Sequence, residues 1–335
     1  MIHMKGIELC KNFYDQVVRS IVTPVHPTHG ACLIGHGSEV LGFDTEMSHD
    51  HDWYARCFIF VDGNDTAEIE KAIQSALDKY LPSKYEGFDT QVIVCPTNIF
   101  FKAELGFDPY HMTETNWLSA PSQILRELTT GAVFKESDEL LYLRNKLKFY
   151  PRDILLYILA AQWKKISQEM AFMGRSGDLG DNIGSAMVCS RLFGYIMRLC
   201  FLYEGQYAPY WKWFGTAFNQ LSSSGRLKET IEAGLLADGW REKEKYLSNA
   251  YTIAGEIHNE SSLTLPIKPR IETYYGRPFL VPNAEEYESA LYNAIKDENV
   301  KALTKHLGNI DQISDHTNFI GRNETRLSIT NAWFL

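Results

Sequence analysis

The sequence is short of the features that mark several large protein classes. It has six cysteines, at positions 10, 32, 57, 95, 189 and 200, and no Cys-x-x-Cys pair. Thiols scattered in this way signal neither a zinc knuckle nor a redox pair, and they are expected to be reduced and buried in a cytoplasmic protein. Positive charge is also scarce: 33 Lys and Arg stand against 42 Asp and Glu, a formal net charge of −9. A duplex-binding surface needs clustered Lys and Arg, so duplex nucleic acid is not an expected partner. A small site for a nucleotide or one RNA end remains compatible, and the acidity favours a cationic acceptor by long-range steering. No apolar run reaches the roughly 18 residues of a membrane span. The opening Met1-Ile-His-Met-Lys-Gly6 does not read as a signal peptide, so a cytoplasmic chain without a membrane partner is expected. No internal repeat or low-complexity tract is visible. The pair Gly35-x-Gly37 lacks a third glycine at dinucleotide spacing, since the next is Gly42, and no Gly-Lys-Ser/Thr follows it. Those two absences exclude the dinucleotide fingerprint and the phosphate-binding P-loop.

What is present is an ordinary folded composition, 45% hydrophobic and 22% charged over 335 residues, enough for two domains or one large one. The chain is organised around Gly35-His-Gly-Ser-Glu-Val-Leu-Gly42 and the Ser48-His-Asp-His-Asp-Trp53 that follows. An apolar run, Ala31–Ile34, leads into the first motif and reads as a buried strand. The aromatic and β-branched run Tyr54–Val61 leads out of the second and reads as another. Gly37 and Ser38 then offer backbone N–H groups to an anion, because glycine allows close approach and positive φ. Asp50 and Asp52, two apart at a strand edge, are expected to point to one face. Two carboxylates so placed are costly without a cation, and Mg²⁺ takes such oxygen ligands. A phosphate cradle beside a metal-binding pair suits phosphoryl or nucleotidyl transfer. Each motif also has a plainer explanation, a strand-to-helix turn for Gly37-Ser38 and a solvated turn for the acids. The His-Asp doublets at 49–50 and 51–52 raise a metal-dependent phosphohydrolase as an alternative, although such a site normally draws its His and Asp from helices.

In chain order, Leu9, Phe13, Val17 and Ile21 recur at steps of four and predict a helix over 5–22. Asp65-Thr66 can cap a helix whose apolar face is Ile69, Ile73 and Leu77. Phe88–Cys95 reads as a third strand, halted by Pro96. Residues 96–117 read as an irregular loop with short elements, and Ser119-Ala-Pro121 opens a helix that Gly131 ends. From Pro151 the composition becomes helical: one long helix closed by Gly174, a second over 181–204, then 212–222, 226–236, 240–260, 284–296 and 299–307, with no strand of comparable strength. The expectation is an α+β fold with an α/β domain over residues 1–145 and a helical domain over 146–335, and a site in the cleft between them.

Gly-Ser, then eleven intervening residues and an Asp-x-Asp before a strand, resembles the polymerase-β-like nucleotidyltransferase superfamily. The wider string, Gly-Ser-x-x-x-Gly-x-Asp-x-x-x-Ser-x-Asp-His-Asp-Trp, is similar to a bacterial branch, the domain of unknown function 4037 family. The resemblance continues through Tyr150-Pro151, Gly174–Ser185, Tyr207–Trp213, His258-Asn259 and Arg277–Phe279. It implies a Mg²⁺-dependent transfer of a nucleoside monophosphate, from ATP or another triphosphate, to a hydroxyl of a small molecule. It also implies a third carboxylate on a neighbouring strand, sharing a metal and accepting the proton of the attacking hydroxyl. Asp89 fits by position, with Glu104 and Asp108 as fallbacks. Without a third acid the chain would be a nucleotide-binding or sensor protein; a tRNA end or protein side chain as acceptor is a further alternative. In the helical half, Gly174–Asp181 is either a glycine-rich turn with Asp181 as N-cap, or a loop in which Arg175 holds phosphate and Asp181 serves the acceptor. The aromatic run 207–213 is either core packing or a platform from which Lys212 reaches the triphosphate. His258, Arg277 and the Asp311–Asp315 stretch are polar groups in apolar surroundings.

Overall fold

The structure is a computed structural model and describes residues 5–50, 53–314 and Trp333. The fold is α+β, with a five-stranded mixed sheet in the N-terminal region and a helical C-terminal region. Two compact units form, Met1–Met112 with Ser122–Lys148, and Thr113–Pro121 with Phe149–Leu335.

In the first unit, α1 (Gly6–Phe13) continues through a π-helical turn, Tyr14–Val18, into α2 (Arg19–Val22), so the predicted N-terminal helix is present with one widened turn. The strands are β1 (Gly30–Leu33), β2 (Ala55–Val61), β3 (Lys84–Tyr85), β4 (Phe88–Pro96) and β5 (Ala132–Lys135), in the order β3-β4-β2-β1-β5. β1 is antiparallel to both β2 and β5, while β2 and β4 run parallel, joined through α4 (Ala67–Tyr80). A parallel pair needs such a crossover, and β2, between β4 and β1, is buried on both faces, which is why it reads as an almost unbroken apolar run. Ala55, Cys57, Ile59 and Val61 pack with Leu9, Phe13, Val18, Ile73 and Leu77. From the opposite face, Phe58 and Phe60 meet Phe100 of α5 (Thr97–Leu105), with ring centroids 4.8 and 5.2 Å away.

Two elements here differ from expectation. α5 replaces much of the irregular loop expected over 96–117; its amphipathic signal is weak because Phe101 and Leu105 are its buried apolar side chains while Ile99 is exposed. β5 is four residues long, too short to show a period. α3 (Ser38–Leu41) is a single turn; α6 (Glu114–Ser119), α7 (Ser122–Thr129) and α8 (Asp138–Lys146) follow.

The second unit is built on α6 and on α9 (Arg152–Glu169), α10 (Phe172–Asp178), α11 (Asn182–Tyr203), α12 (Trp211–Phe218), α13 (Ser224–Leu236), α14 (Gly239–Glu260), α15 (Ala284–Asn293), α16 (Glu298–Ala302) and α17 (Ile310–Ile313). The predicted helix over 151–174 is two, broken after Glu169, and Gly174 lies inside α10. A small antiparallel hairpin, β6 (Ile271–Thr273) with β7 (Leu280–Pro282), was not foreseen, being three residues a side. His258 belongs to a polar chain through the core: Trp163 Nε1 donates to the Tyr203 hydroxyl at 2.8 Å, that hydroxyl meets His258 Nδ1 at 2.8 Å, and His258 Nε2 meets Thr264 Oγ1 at 2.8 Å. Burial pushes the His258 imidazole down to about 4. All six cysteines are free thiols, five buried and Cys95 partly so. α11 is apolar and long enough to pass for a membrane span, but over half of that window is buried among the other helices.

Candidate functional site

The Gly35–Ser38 turn leaves β1 and opens α3. Gly35 has φ +84° and Gly37 φ +141°, conformations that side-chain-bearing residues rarely hold. Gly37 is needed for space as well: a Cβ there would lie 2.5 Å from Glu39 Oε1 and 2.7 Å from Arg56 Nη2. Arg56, on β2, straps the turn. Its Nε donates to Glu39 Oε1 at 3.0 Å, and its Nη2 donates both to that oxygen and to the His36 carbonyl. Gly131 backs the turn, its N–H donating to the Val40 carbonyl at 3.0 Å; a Cβ there would meet the Leu33 carbonyl oxygen at 2.0 Å. Among the described residues, no hydrogen bond engages the Gly37 amide, the Ser38 amide or the Ser38 hydroxyl. These are the groups from which the sequence predicts an anion cradle.

Two acids flank the turn, and of these only Glu127 was not foreseen. Glu127 of α7, 5% exposed, accepts from Gln123 Nε2 at 2.6 Å and lies 2.8 Å from His36 Nδ1; its carbonyl accepts the Gly35 amide at 3.0 Å. The hydrogen bond to Glu127 pulls the His36 imidazole above its ordinary range, keeping it cationic to higher pH. Glu104 of α5, a fallback for the third acid, lies 3.8 Å from His36 Nε2. Sequence inspection missed Arg56 and Glu127. Arg56 had a signal, a lone cation in an apolar strand; Glu127 had none, because its role needs the turn and α7 brought together.

Asp50 ends the 3₁₀ helix Glu46–Asp50 instead of opening a strand, so strand alternation does not decide where it points. Its side chain, like the whole of Asp52, lies outside the described residues. Asp89 sits at the head of β4. Register pairs Arg56 with Gln91, and alternation then puts Asp89 and Gln91 on the sheet face of Arg56. The Asp89 carboxylate is 65% exposed and 3.5 Å from Lys84 Nζ. Asp108, the second fallback, is held at the surface by His111 Nδ1 at 2.8 Å and by the Tyr110 amide at 2.9 Å. Among the described residues no three His, Cys, Asp or Glu side chains form a ready metal cluster.

The remaining predicted residues lie in the second unit. Arg175 is on α10, exposed, not in a loop. The loop is only Leu179–Asp181, and Asp181 caps α11, its Oδ1 accepting the Gly184 amide at 2.8 Å. The glycines of that motif let helices and rings approach: a Cβ on Gly174 would meet Phe279 at 2.7 Å, and one on Gly177 would meet Trp240 at 2.4 Å. Lys212 is exposed, its Nζ 4.9 Å from the Trp213 ring centroid. Tyr207 of that run and Phe214 just after it are core residues, whereas Trp211 is 52% exposed. Arg277 lies in the β6–β7 hairpin, 6.0 Å over the Tyr274 ring, and Asp315 is outside the described residues.

Comparison with other proteins adds little on activity. No curated protein matches the chain. One solved structure, a nucleotidyltransferase-like protein from Exiguobacterium sibiricum 255-15, is similar over 80% of this chain and 97% of that one, with 9% identity and a TM-score of 0.34. A likeness of that size establishes neither a shared site nor a shared activity. The matching family model, Domain of unknown function (DUF4037), covers residues 117–214, which include α7 to α11 and exclude the Gly37-Ser38 turn. The resemblance to the domain of unknown function 4037 family therefore holds, on residues 117–214 of this chain.

Proposed function

We propose that the first unit catalyses nucleotidyl transfer: a nucleoside monophosphate, AMP from ATP, passes to a hydroxyl of a small molecule with release of pyrophosphate. The observation that carries this is the Gly37-Ser38 turn. It presents two amides and a hydroxyl without partners among the described residues, braced by the Arg56–Glu39 pair, with an Asp-x-Asp beginning twelve residues after Ser38. The triphosphate tail is bound by those amides and by the Ser38 hydroxyl, with the His36 side chain at the rim. The donor chemistry fits Mg²⁺: Asp50, Asp52 and Asp89 are hard oxygen ligands, and Asp89 stands exposed at the head of its strand. These three residues would hold the metal, which when bound neutralises phosphate charge. Asp89 takes the proton of the acceptor hydroxyl as its oxygen bonds to the α-phosphorus and the bond to pyrophosphate breaks. The surface ion pair with Lys84 is weak enough to be displaced.

The test is incubation with each labelled nucleoside triphosphate, Mg²⁺ and a metabolite extract, followed by mass spectrometry. A nucleotidylated product together with metal-dependent pyrophosphate supports transfer. Triphosphate binding without any pyrophosphate would instead identify a nucleotide sensor. A product on tRNA or on protein would change the acceptor and keep the chemistry.

A further inference from the structure

The second unit contains a pocket of about 640 Å³ lined from α9, α11, α12 and residues 311–314. Cavities of roughly 300–1,000 Å³ hold small ligands. Although the chain is acidic overall, this lining carries Lys165, Arg191 and Arg198 against a single carboxylate, Asp311. The three cations are engaged differently. Arg191 Nη1 pairs with Glu169 at 3.3 Å, and Lys165 Nζ donates to the Gln312 carbonyl at 2.6 Å. Arg198 makes no hydrogen bond or ion pair among the described residues. It is held by rings alone, 5.8 Å from the Trp211 centroid and 5.2 Å from that of Phe214. Ring contacts fix the plane of a guanidinium and leave its N–H fork unspent.

Trp211 supplies the second half of the site. Its indole is 52% exposed on the pocket wall, and Gly194 lets it lie close to α11, since a Cβ there would come within 3.2 Å of the ring. An exposed ring beside an oriented guanidinium suits a flat molecule with a negative group. We propose that this pocket binds a small planar ligand bearing one anion, phosphate or carboxylate. Arg198 takes the anion through its fork and Trp211 stacks on the ring. The pocket lies within the second unit, so its ligand is independent of the reaction proposed for the first.

The test is calorimetric titration of the full chain in EDTA, where metal-dependent nucleotide turnover does not run. The probes are AMP, 4-hydroxybenzoate and, as an uncharged control, adenosine. At least one anionic probe should bind, AMP indicating a phosphate ligand and 4-hydroxybenzoate a carboxylate. Adenosine should bind at least about tenfold more weakly than AMP if phosphate is the group held. Arg198→Gln should weaken the bound probe by about tenfold or more, Arg198→Lys by less, and Trp211→Ala should also weaken it, with thermal midpoints confirming that each variant is folded. Binding of neither anion overturns the proposal, as does undiminished affinity for the bound probe in folded Arg198→Gln or, where AMP is the probe that binds, equal affinity for AMP and adenosine.

Discussion

At the scale of single residues, Gly37 and Asp89 make opposite demands. Gly37 is fixed by backbone and space together, so Gly37→Val adds strain at φ +141° and pushes into the Glu39 carboxylate and Arg56. The variant should lose triphosphate affinity by more than Ser38→Ala, which removes one hydrogen bond worth on the order of 1 kcal/mol. Equal nucleotide affinity in wild type and Gly37→Val, measured by calorimetry, would displace the cradle from this turn. Asp89 is packed against nothing that the fold needs. Its pair with Lys84, 65% and 64% exposed, contributes little to stability. Asp89→Ala should therefore keep its unfolding midpoint and its triphosphate affinity while turnover falls at least about 100-fold, the low end for loss of a general base. A variant that keeps its rate would remove Asp89 from the chemistry.

At the scale of elements, β2 explains what was legible in the sequence and what was not. Its apolar run, the run of β4 and the helical period of α4 each state a burial pattern locally, so they could be read without a partner. The roles of Arg56 and Glu127 could not, because each depends on the turn meeting a second element. For Asp50, only the expected strand start is corrected, for a related reason: β2 begins at Ala55, so alternation does not reach Asp50. The Gly174–Asp181 motif offered two explanations and needed α14 and the β6–β7 hairpin to show what its glycines touch. That contact is measurable. Gly177→Ala gains helix propensity, about 1 kcal/mol, but forces a Cβ to within 2.4 Å of Trp240. Overpacking of this kind costs about 1–3 kcal/mol, so a net loss of about 1 kcal/mol is expected in urea unfolding. A more stable Gly177→Ala would show that α10 is free to move away from α14.

At the scale of the whole molecule, the His258 chain gives stability a pH dependence of known sign. The folded imidazole is held at about 4 by burial, below its ordinary 6.5. The unfolded chain binds the proton more readily, so the contribution is complete above about 6.5 and is lost as pH falls from there towards 4. The difference corresponds to about 3 kcal/mol. Wild type should thus lose stability between pH 7 and 5 in denaturant titrations, and His258→Gln should lose less over the same interval while being weaker at pH 7. A wild type whose stability is flat across that interval would show the imidazole to be solvated. The free thiols make such unfolding readable by location. Burial raises Cys10 and Cys189 to about 11, and Cys95 and Cys200 to about 12, so native thiolate is almost absent at neutral pH. Four of the cysteines, at 10, 32, 57 and 95, belong to the first unit, and 189 and 200 belong to the second. Alkylation in rising urea, followed peptide by peptide, therefore carries an internal clock for each unit. Two separate labelling midpoints would mean two cooperative foldons, and a single midpoint would mean one.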